Sequence, residues 1–110
     1  METLNSASDF ENFLNHNDAA LIYYSTPQCN VCKILRPKIV DFINSQFPQI
    51  NMAYIDCEEL KDVSAQNRIF TVPTIIVYLD RKEFIRKSRN INMTELREEL
   101  QRPYSLYFDN

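Results

Sequence analysis

The segment Ala20-Leu21-Ile22-Tyr23-Tyr24-Ser25-Thr26-Pro27-Gln28-Cys29-Asn30-Val31-Cys32 passes from an apolar run through a short polar loop to two cysteines two residues apart. A continuous apolar run of this length suits a strand covered on both faces. Ser25 to Gln28 have loop chemistry, so Cys29 stands where the next helix opens. The free N–H groups and partial positive charge of a helix N-terminus favour an anion there, and thiolate rather than thiol attacks a disulfide. The spacing therefore predicts Cys29 as nucleophile and Cys32, one turn further on, as the resolving thiol that closes on the mixed disulfide. A lone C-x-x-C says little; between a buried strand and a helix it says more.

Downstream, the pattern predicts a helix over 30–46 with Val31, Ile34, Leu35, Ile39, Phe42 and Ile43 on its buried side. Pro37 inside it removes a donor and should kink it. A third strand is expected around Ile50 to Ile55, ending at Asp56-Cys57, then a polar surface helix from Glu58 to Asn67. Thr71-Val72-Pro73-Thr74 leads into Ile75-Ile76-Val77-Tyr78-Leu79, the most strand-like stretch of the chain. Asp80-Arg81-Lys82 is read as the turn to a last strand over 83–88, and Asn92-Met93-Thr94-Glu95 as a capping box opening a final helix. Pro103 is expected to end or bend that helix, leaving an aromatic tail over 104–108. Upstream, residues 2–5 read as a short edge strand, and Ser6 or Ser8 as the cap of a helix carrying Phe10, Phe13 and Leu14. The order is βαβαβαββα, in one domain spanning 1–110.

Composition narrows the function classes. At 45% apolar residues, 110 residues can bury a core without staples. The net charge of −3 and the interspersed acidic residues argue against nucleic acid as a partner. The denser basic cluster of Arg81, Lys82, Arg86, Lys87 and Arg89 reads as a solvated edge of the last hairpin. No apolar run approaches the roughly 20 residues of a membrane span, and the N-terminus lacks the pattern of a secretory leader. Three cysteines do not make a secreted disulfide framework. The expected setting is cytoplasmic, with no membrane partner. The chain contains no glycine, so Asn and Asp are expected to fill the left-handed positions that glycine normally takes.

Over nearly its whole length the chain resembles the thioredoxin superfamily. The resemblance rests on Cys29-Asn30-Val31-Cys32 after a buried strand, Pro37 five residues beyond Cys32, and Val72-Pro73-Thr74 before a late strand. The 68–74 stretch and the tail look like those of small bacterial cytosolic thioredoxin-like proteins. The resemblance implies an α/β thioredoxin fold, a central mixed sheet of four to five strands flanked by four helices. It also implies that Pro73 is cis beside the cysteines, excludes metal there and shapes the site. By the same resemblance, the Val72 backbone holds an extended substrate segment by strand addition; departing from the family, the groove positions read as more polar, with Gln28 and Thr71 near the motif and Arg89-Asn90. Two departures stand out. Gln28-Cys29-Asn30-Val31-Cys32 replaces the family's Trp-Cys-Gly-Pro-Cys, and Tyr23 stands where the family has a buried Asp that helps take the proton from the resolving cysteine. Arg89-Asn90 falls where a glycine is usual.

Other readings of these residues remain open in the sequence. A zinc site wants about four ligands, and neither a second C-x-x-C nor a histidine pair accompanies the motif; His16 is alone. Cys57 is expected on the motif's side of the sheet, as a small buried hydrophobe or as an auxiliary thiol. Tyr23 and Tyr24 read as core, and the tail aromatics as packed on their own domain or as a homodimer contact. The leading functional expectation is a thiol–disulfide oxidoreductase that reduces client-protein disulfides, needs no bound cofactor and draws electrons from an upstream disulfide reductase. A slow or non-catalytic module that binds an extended peptide beside Pro73 is the second reading. An iron–sulfur cluster shared between two chains through Cys29 is the third.

Overall fold

In the computed structural model, which describes residues 1–108, the elements are β1 (Glu2–Thr3), α1 (Ala7–His16), β2 (Ala19–Ser25), α2 (Asn30–Gln46), β3 (Asn51–Asp56), α3 (Lys61–Gln66), β4 (Thr74–Leu79), β5 (Lys82–Ser88) and α4 (Met93–Phe108). The five strands form one sheet in the order β1-β3-β2-β4-β5. β2 runs parallel to β3, which pairs in parallel with β1, while β4 is antiparallel to both β2 and β5. This is the mixed α/β sheet with four helices that the sequence predicts. Every residue of β2 is buried, because it lies between two partners in the plane of the sheet and between helices above and below.

Strand alternation sorts the core into two layers. Leu21, Tyr23, Ile75 and Val77 face one side, where they meet Ile39 and Ile43 of α2 and Leu96 and Leu100 of α4. Ala20, Ile22, Tyr24, Ile76 and Tyr78 face the other, against Phe10, Phe13 and Leu14 of α1 and Val63 of α3. Each fully buried aliphatic or aromatic side chain here contributes about 1.5–3 kcal/mol.

Several local expectations are corrected. Ser6 caps α1, its side chain accepting the Asp9 N–H at 3.0 Å. α3 starts at Lys61 rather than Glu58, because Asp56 first accepts the N–H groups of Glu58, Glu59 and Leu60 in a turn. α4 opens on Asn92, whose side chain accepts the Glu95 N–H at 3.0 Å, but Pro103 does not stop it. The helix runs on to Phe108 because Tyr104 packs edge-on against Phe47, 5.0 Å between centroids, and Phe108 packs on Tyr104. The aromatic tail is therefore a helical turn lying on its own fold, although Leu106 is exposed.

The left-handed positions also fall differently. Among the described residues they are held by Arg68, Asp80, Arg81 and Arg89, with φ of 57°, 51°, 67° and 62°; Asp takes one, as expected, and Asn takes none. Arg is unbranched at Cβ, so it meets the general penalty of about 1–2 kcal/mol for an L-residue there without the further crowding of a branched chain. Asp80-Arg81, both at positive φ, form the two-residue link between β4 and β5, the geometry that matches hairpin twist.

A buried polar chain pins α3 to the sheet. Tyr78 Oη donates to Asn67 Oδ1 at 3.2 Å, which leaves Tyr24 Oη to donate to Tyr78 Oη at 2.9 Å. Burial pushes the Tyr78 phenol up to about 12 and raises that of Tyr24 further. Both groups are neutral below the ordinary phenol range, so their contribution is whole at neutral pH and fades only as pH climbs through about 10 to 12. Tyr78→Phe strands the buried Tyr24 hydroxyl and should lower urea-measured stability by about 1–3 kcal/mol. Tyr24→Phe leaves Tyr78 its acceptor and should cost less; the reverse ranking would refute this chain of donors.

Candidate active site

Cys29 is the N-cap of α2, in extended backbone geometry, and its Sγ accepts the Cys32 N–H at 3.2 Å. Its own N–H donates to the Thr26 carbonyl at 3.2 Å, closing the loop that leaves β2. Cys32 lies one turn on, facing the core. The two are joined in a disulfide with Cα atoms 5.2 Å apart. Their surroundings differ sharply: Cys32 is 1% exposed, whereas Cys29 is half-buried and opens to solvent.

The second wall of the site comes from the start of β4. The antiparallel register sets Tyr24 opposite Thr74, which brings residues 72 and 73 beside the loop that carries Cys29. The Val72–Pro73 peptide is cis. Thr74 Oγ1 donates to the Thr71 carbonyl at 2.7 Å and lies 2.9 Å from Ser88 Oγ, and the Arg89 N–H donates to the Pro73 carbonyl at 2.8 Å. These bonds tie the loop to the end of β5. The result is an open groove of about 240 Å³ lined by Cys29, Asn30, Val31, Val72, Pro73, Arg89 and Asn90.

Of the residues expected to bind substrate, Val72 and Pro73 meet Cys29 in this groove. Gln28 and Thr71 do not line it: Gln28 is exposed in the turn before Cys29, and Thr71 lies behind the groove as an acceptor for Thr74. The expected polar character comes from Arg89 and Asn90, with Asn30, beside an apolar floor of Val31, Val72 and Pro73. Val31 and Ile34, expected on the buried side of α2, are 61% and 64% exposed. Their phase could have shown this. Cys32, Ile39 and Ile43 follow one helical stripe, whereas Val31 lies about 100° and Ile34 about 160° round from it. Arg89, read both as part of a solvated edge and, with Asn90, as a polar groove position, lines the groove because β5 ends there.

Tyr23 was read as core, and it is 0% exposed. It also has a polar task that the sequence does not show: its hydroxyl donates to the Cys32 carbonyl at 2.6 Å. Burial pushes its phenol up to about 12, partly offset by Arg36 and reinforced by Tyr54. The Tyr54 ring stacks beside it at 6.2 Å, and the Arg36 guanidinium sits 4.3 Å over the far ring. Beneath the disulfide there is thus a phenol that holds its proton, where the resemblance implies a carboxylate.

Cys57 lies at the same end of the sheet, its N–H donating to the Ser25 carbonyl at 2.9 Å, but it packs in the opposite layer from Cys32. It is half-buried and in no disulfide, and burial raises its thiol, so it is a poorer nucleophile than an ordinary exposed cysteine. His16 bonds its ring to the Asn12 carbonyl on the exposed face of α1. Among the described residues no three His, Cys, Asp or Glu side chains are grouped to hold a metal ion, and no helix is long and apolar enough to cross a membrane.

Comparison with known proteins agrees with this geometry. The family model described as Thioredoxin matches residues 2–102. The thioredoxin-like protein YdfQ of Bacillus subtilis is 33% identical over 97% of this chain and 95% of its own length. Thioredoxin-1 of Saccharomyces cerevisiae is 28% identical over 71% of this chain and 75% of its own. Fasciola hepatica thioredoxin superposes with a TM-score of 0.80, at 28% identity, over 93% of this chain and 98% of that one. With a disulfide-forming Cys29–Cys32 pair at the mouth of a helix and matches of this extent, the chain belongs to the thioredoxin family and is a thiol–disulfide oxidoreductase.

Proposed function

We propose that the protein reduces disulfides in client proteins of the cytoplasm, with Cys29 attacking and Cys32 resolving. The observation that carries this reading is the asymmetry of the pair: Cys29 is reachable and capped on a helix N-terminus, and Cys32 is sealed beneath it. In the dithiol form, the Cys29 thiolate takes the Cys32 N–H as a charge-assisted hydrogen bond and gains from the helix dipole. It attacks one client sulfur and expels the other as thiolate, giving a mixed disulfide. Cys32 then loses its proton and attacks Cys29 Sγ, so the second client thiolate departs and the protein disulfide forms. Two electrons pass to the client. An upstream disulfide reductase returns them to the pair, and no bound cofactor enters either step.

Tyr23 sets how the resolving proton leaves. With its phenol raised to about 12, it holds its own proton throughout the working range and is no base. The proton of Cys32 therefore passes to the departing client thiolate or to water. The client segment lies extended along Val72, with the free backbone groups there offering strand-like pairing beside Pro73.

Insulin reduction driven by dithiothreitol tests the reading. Wild type should outpace the uncatalysed reaction, and Cys29→Ser should fall to the rate of dithiothreitol alone. Equal rates would instead favour the second reading, a peptide-binding module, to which the missing carboxylate under Cys32 lends its one argument. Cys32→Ser should accumulate mixed disulfides with clients, visible as dithiothreitol-sensitive bands.

Tyr23→Phe separates positioning from proton transfer. It keeps the ring and loses one buried hydrogen bond, at a cost of about 1 kcal/mol in stability. The shape of its rate profile between about pH 6 and pH 9 should match wild type, because a phenol near 12 does not titrate there. A displaced inflection would show that Tyr23 takes part in proton movement.

A further inference from the structure

Arg89 occupies an unusual place for a long cation. It lines the groove with Cys29 and Pro73, and it also lines the neighbouring hollow of about 400 Å³ formed with Val31, Leu35 and Ile91. Arg89 and Asn90, with Val31, thus line both of two adjoining depressions, one of which holds Cys29. Across both, Arg89 is the one charged side chain, and no carboxylate lines either.

Three of its four neighbours in the basic cluster are already committed. Arg86 pairs with Glu83 at 2.7 Å, and Lys87 pairs with Glu95 and with Glu99. Arg81 donates to Asn15 Oδ1 at 3.0 Å. Arg89 makes no ion pair among the described residues. Its single side-chain bond runs from Nε to Thr71 Oγ1 at a long 3.4 Å, which leaves both terminal amino groups of the fork unengaged. Its backbone, by contrast, is held, through the N–H that donates to the Pro73 carbonyl at 2.8 Å. The root of the side chain is tethered to the loop beside the disulfide while the guanidinium stays available.

We propose that Arg89 is a specificity-determining residue that favours client segments with an aspartate or glutamate close to the cysteine under attack. This rests on the reductase reading above and names its substrate class. A guanidinium matches a carboxylate with two parallel hydrogen bonds. An extended client advances about 3.3 Å per residue, so an acidic side chain within about three residues of the target cysteine lies within about 10 Å of it along the segment, and Arg89 lines the same groove as Cys29. The apolar floor formed by Val31 and Val72 takes the client's uncharged side chains, and the rim cation discriminates by charge.

The test uses three disulfide-linked peptides identical except for Asp, Asn or Lys two residues from the cysteine, each reduced by the pre-reduced full-length protein. Wild type at low ionic strength should reduce the Asp peptide faster than the Lys peptide by about two- to fivefold, the size of a partly exposed charge contact. Added salt should shrink that ratio. Arg89→Gln should level the series, and Arg89→Glu should invert it, with urea midpoints confirming that both variants fold. If either variant fails to fold, the salt dependence of the wild-type ratio decides alone. Equal wild-type rates on all three peptides, or a preference that survives Arg89→Gln, would overturn the assignment while leaving the reductase reading intact. Failure of wild type to reduce any peptide faster than Cys29→Ser would overturn the reductase reading, and the assignment with it.

Discussion

The first turn of α2 is the constraint from which the site follows. A helix begins with N–H groups that have no partner inside it, and here the Cys32 N–H is met by a sulfur, Cys29 Sγ at 3.2 Å. Sulfur in a disulfide is a weak acceptor, whereas a thiolate is a strong one, so the same donor favours the attacking form more than the resting form. The position of that sulfur is not free to drift. β2 is buried along its whole length, and the loop after it is closed by the Cys29 N–H on Thr26. Core packing thus sets where the reactive atom stands.

The other half of the site depends on register rather than on capping. β2 ends where β4 begins, and their antiparallel pairing sets Tyr24 against Thr74. A slip of one residue would reverse which side chains of β4 face α2 and α4, placing Ile76 and Tyr78 where Ile75 and Val77 now pack. The two-layer core therefore fixes the pairing, and the pairing places Pro73 beside Cys29. Residues some forty positions apart in the chain meet because of aliphatic packing remote from the sulfurs.

The sequence carried most of this, for identifiable reasons. β2, α2 and β4 were readable because their apolar patterns are long and undiluted, and the C-x-x-C pair drew meaning from lying between two of them. The limits of α3 and α4 were not, because both are decided by partners distant in sequence or by side chains in a turn: Asp56 holds back α3, and Phe47 carries α4 past Pro103. Among the described residues left-handed backbone falls to Asp80, as expected, and to three arginines, in a chain without glycine. At the site, Cys29, Val72 and Pro73 converge, whereas Gln28 and Thr71 lie off the groove despite standing next to residues that line it. Adjacency in sequence is a poor guide in a turn, where successive side chains diverge. The bond from Tyr23 to Cys32 is invisible to pattern reading, since an apolar run reports burial and says nothing of where a phenol tip points.

Electrostatics around the pair completes the picture and works at two ranges. The chain as a whole carries −3, which on its own would repel an acidic client. At physiological ionic strength, however, exposed charges are largely screened beyond about 8 Å, so the net charge of a molecule measuring 39 × 28 × 21 Å contributes little at the moment of contact. What lines the groove that a docked segment meets is an apolar floor and a guanidinium, while the phenol of Tyr23 stays sealed below. Arg89 is thus the charged side chain lining the groove, without a carboxylate beside it, in a protein whose net charge is negative.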